Sequence, residues 1–464
     1  MFTKKQTHVI CPFCCHKFHP NEADFRLING TKTTDENLFN YNLDILQNEK
    51  PDAKANAYQA PWVTLDTDGV TYDESDIEKC GFIQRVNFKN SNKKQETSEQ
   101  RLCPNCHNNL PTGYGMRDTV LISILGDARS GKSVFLTVLL SELEDNPDFI
   151  SKLTYIGDKQ VHENFYETYH KPLFKENTLI SSTKRKKVPP YAFNYWYQYK
   201  DEDGNFQDNT IDIIFYDIAG EDLRDDDGIR HNGFNIKDSS GLIFLIDPTN
   251  FTKLSDLFRF TDSALIEAIP EDNSTQAIFD TLYNYFIGLD REKSTIPLAL
   301  ALSKADLLKH VNFDFFKNKP ESRIQHTLTD EVHRGAVNMS SIKGIHQEVR
   351  EFISYMNEDK IINTAMACFK NVNYFAVSSL GKKPVVEKIS DPDTNETVEK
   401  GFIDGHIEPF RVKEPFYWLL MRNQLMLKHE NELYSPHGDT VEKTAVPIWQ
   451  RLIERLTNFF AGRN

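Results

Sequence analysis

The chain has 464 residues, with 54 Lys+Arg against 68 Asp+Glu and a formal net charge of -14, and at ~150 residues per domain that length holds two to four domains. A surface of this sign repels phosphate backbones and anionic lipid, which argues against general nucleic-acid binding and against a membrane coat. Hydrophobic residues make up 39%, a lean share, so sizeable cores must coexist with long polar loops. No apolar run approaches the ~18 residues that span a bilayer, and the N-terminal MFTKKQTHVICPFC has no signal-peptide core. Seven cysteines, an odd number with four in CxxC pairs, point to reduced thiols and metal rather than disulfides. The expected setting is cytoplasmic.

Residues 1–112 hold six of the seven cysteines and form the first expected domain. Cys11-Pro12-Phe13-Cys14 and Cys103-Pro104-Asn105-Cys106 are two CPxC turns. Each presents two sulfurs to one ion, and together they complete a tetrahedral site in which zinc has a structural role, with no open position for chemistry. The 88 residues between the pairs exceed the ~15–20 of a compact zinc ribbon, and Cys15, His16, His19, Cys80 and His107 are alternative ligands. The insert is not basic, so the module is expected to contact unidentified protein partners rather than nucleic acid. Cys368 stands alone in a helical stretch and reads as a small buried hydrophobe.

From 117 to 383, short apolar runs alternate with helical segments, the pattern of a parallel α/β sheet. Thr119–Leu125 predicts a buried strand, Ser133–Leu143 a helix, and Ala192–Lys200 with Thr210–Asp217 a hairpin about Asp201-Glu202-Asp203-Gly204. Gly241–Asp247, Pro297–Leu302 and Tyr374–Ser378 predict three further strands. The third expected region, 384–464, reads as a hairpin about Asp391-Pro392-Asp393 followed by aromatic-rich helices.

Between the first strand and helix lies Gly126-Asp127-Ala128-Arg129-Ser130-Gly131-Lys132-Ser133, a GxxxxGK[ST] phosphate loop followed by Val134. Its backbone N–H groups can wrap phosphate at a helix N-terminus, Lys132 can reach the β- and γ-phosphates, and the Ser133 hydroxyl can ligate Mg²⁺. Asp217-Ile218-Ala219-Gly220 closes the strand IDIIFYD, where the Asp217 carboxylate can hold Mg²⁺ and the Gly220 N–H can sense a γ-phosphate. Ser303-Lys304-Ala305-Asp306 follows PLALAL. An aspartate there can accept from both N1 and N2 of guanine, with the Lys304 stem over the base, although Ser and Asp also serve as plain helix caps. Ser378-Ser379-Leu380 follows YFAV, placed for a backbone N–H to meet guanine O6.

These four motifs, each at a strand end, resemble those of the Ras-like, translation-factor-related P-loop GTPases. The resemblance implies a Rossmann-like α/β domain binding GTP and GDP with Mg²⁺. Asp217 to Asp306 spans 89 residues and Asp306 to Ser378 another 72, which requires helical insertions at 251–291 and 309–370, and Ser303 stands where the family has Asn or Thr. A first-switch threonine at the Mg²⁺ site falls on Thr183 or Thr178, beside the basic run TKRKK, which is either a solvated loop or a segment that orders around phosphate. Glu221 occupies the position of the family's water-orienting glutamine; it either positions water or repels the γ-phosphate and leaves the enzyme slow. Arg129 is similar to an arginine in guanylate-binding proteins and atlastins. That likeness implies an internal arginine finger made productive in a homodimer through the nucleotide face, against an outward surface arginine.

Catalytic roles are therefore expected of Lys132, Arg129, Gly220 and Glu221. The chain reads as a GTP-hydrolysing switch, the alternatives being a scaffold that binds GTP with little turnover, or a P-loop ATPase. Apolar residues at helical spacing in Pro447–Phe460 predict a helix that docks on the core or meets a partner. RVKEPFYWLL at 411–420 resembles a segment of bacterial zinc-ribbon GTPases of conflict or defence systems.

Overall fold

The computed structural model describes residues 8–27, 33–38, 40, 58–59, 61–77, 81–89, 94–127, 130–144, 146, 149–156, 159–180, 190–201, 205–218, 236–254, 275–287, 292–311, 313–319, 321–325, 332–333, 336–390 and 397–429. Residues 430–464 lie outside the described residues, and the helix expected at 447–460 falls within them.

The centre is a seven-stranded sheet. Its first strand, β1 (Thr119–Gly126), leads into helix α1 (Lys132–Glu144). There follow β2 (Ser151–Tyr155), β3 (Tyr191–Lys200), β4 (Phe206–Asp217) and β5 (Gly241–Ile246). Next come helix α2 (Thr275–Ile287), β6 (Leu298–Leu302), helices α3 (Met339–Tyr355) and α4 (Asp359–Cys368), and β7 (Val372–Ala376). The spatial order is β2-β3-β4-β1-β5-β6-β7. From β4 to β7 neighbouring strands run parallel, whereas β2, β3 and β4 pair antiparallel. All six expected strands form. The added edge strand, β2, has the sequence SKLTY with one buried residue, too weak an apolar pattern to stand out.

Every residue of β1, β5 and β6 is buried, so both faces of the sheet centre are covered, as a parallel sheet requires. One cover comes from beyond the expected 117–383 segment. Helix α5 (Glu414–Arg422) sets Phe416 against Tyr195 and Phe215, with ring centroids 5.9 and 5.8 Å away, and Trp418 against Phe375 at 5.9 Å. A Cβ at Gly241 would stand 2.7 Å from a Leu419 methyl, so the closeness of α5 to β5 depends on that glycine. Arg411, in a left-handed conformation at φ 56°, gives two 2.9 Å bonds to Glu414, and neither side chain reaches solvent. Between β7 and α5 stands the expected hairpin, β8 (Val385–Ser390) with β9 (Thr397–Phe402).

In the N-terminal region, Val9–Ile10 pairs with Lys17–Phe18, and Asp24–Arg26 lies between Trp62–Val63 and Arg101–Leu102. The Tyr114 hydroxyl donates to Ile10 O at 2.6 Å, and Ile10 and Cys15 join the apolar core of the central sheet. Among the described residues no helix is long and apolar enough to cross a membrane.

Candidate functional site

The C-terminal ends of β1, β4, β5, β6 and β7 lie at one edge of the sheet, where open α/β folds bind ligands. Register aligns them: Ile124 is opposite Asp217, Gly126 opposite Leu245, and Leu302 opposite Ala376. Gly126 has φ 148°, and a Cβ there would fall 2.3 Å from Leu245 O, so only glycine lets the chain leave β1 this close to β5. Gly131, at φ 84°, has nothing within 4 Å of its absent Cβ. Its carbonyl accepts the Phe135 N–H at 2.7 Å, opening α1.

Lys132 Nζ donates to the carbonyls of Gly126 at 2.9 Å and Asp127 at 2.8 Å, folding its stem back over the loop. The Ser133 hydroxyl donates to Asp217 Oδ2 at 2.9 Å. The other Asp217 oxygen is buried without a partner among the described residues. Burial pushes the Asp217 carboxyl above its usual range, against the pull of the Lys132 ammonium and the Ser133 bond. A buried carboxylate with one open oxygen beside a hydroxyl is a donor set that suits a hard divalent cation. Val134 packs partly buried against the core.

The SKAD and SSL segments also meet. The Ser378 hydroxyl donates to Asp306 Oδ1 at 2.5 Å, and the Ala305 N–H reaches Val377 O at 3.1 Å. Ser303 turns toward β5, giving Ile246 O both its N–H at 2.8 Å and its hydroxyl at 3.1 Å. Lys304, left-handed at φ 51°, sets Nζ 2.5 Å from Asp247 Oδ2. Ser379 is half-buried, and Leu380 O accepts the Glu408 N–H at 2.9 Å. Thr178 is buried and bridges to Phe402. Ala128, Arg129, Thr183, Gly220 and Glu221 lie outside the described residues.

Sequence reasoning missed a polar network at the phosphate loop. Asp127 is fully buried and accepts from the Thr275 hydroxyl and, at 3.3 Å, from Asn250 Nδ2. Burial foremost, with Asp247 nearby, pushes its carboxyl up to about 7, although the Thr275 and Asn250 bonds and the Lys132 charge pull it down. Asp247 in turn accepts from Thr249 and pairs with Lys304. The one available signal was an aspartate inside the loop and another closing GLIFLID.

The four CPxC sulfurs lie within 4.8 Å of one another. Cys11 Sγ is 3.8 Å from Cys106 Sγ, and Cys14 Sγ is 3.7 Å from Cys103 Sγ. A disulfide needs ~2.05 Å, whereas tetrahedral zinc with ~2.3 Å bonds sets its sulfurs about 3.8 Å apart. The two turns match: Phe13 N and Asn105 N each lie 3.4 Å from the first sulfur of their turn, and Cys15 and His107 follow at φ 57° and 51°. His107 is held away from the sulfurs by Asp35 at 2.7 Å and Asp24 at 3.4 Å, and Cys80 lies outside the described residues. Cys368 is buried, as expected.

Known proteins provide three comparisons. A Mycolicibacterium smegmatis protein described as "Putative ESX-1 scaffolding and assembly protein SaeC" is 21% identical over 338 residues, covering 68% of this chain and 78% of that one. A crystal structure of Sup35 complexed with GMPPNP matches with 10% identity and a TM-score of 0.23, over 57% of this chain and 39% of that one. The Double-GTPase 2 family model matches residues 120–364, more than half of the chain. The chain therefore belongs to the Double-GTPase 2 family, and membership supports binding of a guanine nucleotide.

Proposed function

We propose that the chain binds GTP with Mg²⁺ at the C-terminal edge of its sheet, hydrolyses it slowly to GDP and phosphate, and passes the nucleotide state to protein partners. The observation that carries this reading is the Ser378–Asp306 bond. It joins motifs 72 residues apart and leaves the second Asp306 oxygen for a base with paired N–H donors, as guanine has and adenine lacks. Within the reading, the loop N–H groups and Lys132 bind phosphate, and Ser133 and Asp217 hold Mg²⁺, which when bound neutralises charge on the phosphate oxygens. Arg129 and Glu221 keep their expected roles toward the γ-phosphate and the attacking water.

The sulfur geometry supports a structural zinc held by Cys11, Cys14, Cys103 and Cys106, in a reducing, cytoplasmic setting. The relative described as a scaffolding and assembly protein favours a role in assembling a multiprotein system. Residues 411–420, all of them buried, resemble a segment of bacterial zinc-ribbon GTPases of conflict or defence systems, and that likeness makes such a system one candidate for the process served.

The test is Mg²⁺-dependent binding and turnover of GTP and ATP over a range of protein concentrations. GTP preference with slow turnover is expected, and turnover rising more than linearly with protein would add the homodimer using Arg129. Tight GTP binding without turnover would replace the enzyme with a GTP-gated scaffold. ATP preference would overturn the proposal.

A further inference from the structure

At the other margin of the sheet, helix α3 and the outer side of β7 border an open groove of about 720 Å³ lined by Lys343, His346, Gln347, Arg350, Glu351, Ser354 and Asn373. A second, of about 170 Å³, shares His346 and Arg350 and adds Lys293, Lys370, Met366, Phe369, Val372 and Tyr374. None of these residues belongs to a nucleotide motif. In a chain of net charge -14, four lysines and arginines gather here. Among the described residues Arg350, Lys293 and Lys370 make no ion pair, while Glu351, the one acid in the lining, is already engaged by Lys319 and Gln347.

An independent observation points to a ligand. Tyr374 is 1% exposed, and its hydroxyl has no hydrogen-bond partner among the described residues. A buried hydroxyl left unpaired is costly. Its ring meets His346 edge to face at 5.2 Å, and its backbone N–H donates to His346 Nδ1 at 3.3 Å. Burial pushes the Tyr374 phenol up to about 12, so at neutral pH it remains a donor. Cations thus line both hollows, and the smaller one adds Tyr374, with its unused donor, and the exposed side chain of Met366.

We propose that this pair of hollows is a second ligand site, for a small organic phosphate. Its phosphate lies among Arg350, Lys343, Lys293 and Lys370 and accepts from the Tyr374 hydroxyl; its apolar part rests on Met366. Guanidinium and ammonium groups favour phosphate. The site stands apart from the phosphate loop, so it does not depend on the GTP reading. It does adjoin it through β7, whose continuation carries Ser378.

Calorimetric titration of the full chain with phenyl phosphate and with inorganic phosphate tests this. Phenyl phosphate should bind saturably and more tightly than inorganic phosphate. Arg350→Glu, at an exposed position, should weaken it by more than tenfold, and Tyr374→Phe by roughly tenfold, the loss of one hydrogen bond to a charged group. Circular dichroism melts on both variants confirm that they fold. Binding that vanishes in Lys132→Ala belongs to the phosphate loop and overturns the proposal. Absence of saturable binding overturns it, as do unchanged affinity in folded Arg350→Glu and equal affinity for the two probes.

Discussion

Asp127→Asn should remove a pH-dependent instability from the core. Asp127, the second residue of the phosphate loop, is fully buried, and its carboxyl, ordinarily near 3.8, is pushed up to about 7. Folded protein therefore keeps this proton over a range where unfolded chain has lost it. The stabilisation this gives is complete below the unfolded pKa and is lost as pH rises through the folded one. At about 1.4 kcal/mol per unit, a shift of roughly three units is worth about 4 kcal/mol, of which roughly 2.5 disappears between pH 5 and 8. Asparagine has nearly the same shape, can still accept from Thr275 and carries no charge. The assay is urea unfolding of both proteins from pH 4 to 8. Asp212, Asp217 and Glu414, whose carboxyls burial also pushes up, titrate in both proteins and cancel in the difference. The stability of Asp127→Asn relative to the parent should rise steadily with pH. A difference that stays flat within ~0.5 kcal/mol would refute the buried, proton-holding assignment.

Other outcomes follow from the same geometry. Asp306→Asn should weaken GDP binding by roughly 10- to 100-fold, the cost of a lost charged hydrogen bond, and unchanged affinity in a GDP titration would remove the fourth-motif assignment. Gly381→Ala places a Cβ 1.9 Å from Glu408 O at a residue with φ 74°; it should cost about 2–3 kcal/mol and also loosen GDP binding, read by melting and titration. Elemental analysis should find one zinc per chain, and Cys103→Ser should abolish it and lower the melting temperature. Arg129→Ala should reduce GTP turnover more than GTP affinity, and equal turnover would dispose of the internal finger.

Which parts were legible in the sequence follows from where the information is local. Buried parallel strands are continuous apolar runs, so Thr119–Leu125, Gly241–Asp247 and Pro297–Leu302 could be read directly, and the phosphate-loop glycines announce a backbone that no other residue adopts. The two CPxC turns could be paired despite 88 intervening residues because thiolate chemistry, not distance along the chain, selects partners. β2 was invisible because an edge strand needs only one buried face and SKLTY offers one buried residue. Asp127 was equally hidden: its partners Asn250 and Thr275 are 123 and 148 residues away, and nothing near any of the three marks the contact.

The same long-range logic explains why the segment after β7 matters to the site. The loop at Ser378–Gly381 has no regular structure of its own, yet Ser378 must keep its hydroxyl on Asp306. Ser378 and Phe410 exchange backbone bonds of 3.1 and 2.9 Å, Glu408 N–H reaches Leu380 O at 2.9 Å, and the Gly381 N–H turns back onto the Ser378 hydroxyl at 2.9 Å. The strap 407–411 that makes these bonds is anchored by the buried Arg411–Glu414 pair and by α5 beneath the sheet. A buried ion pair is a poor source of net stability, but removing one partner strands a charge. Its effect here is to fix one register for a strap whose neighbour is the loop at Ser378–Gly381. Aromatic packing of α5 on Tyr195, Phe215 and Phe375 thus supports a hydrogen bond just past the C-terminal end of β7, and the Ser378–Asp306 contact depends on residues well beyond Ser378 itself.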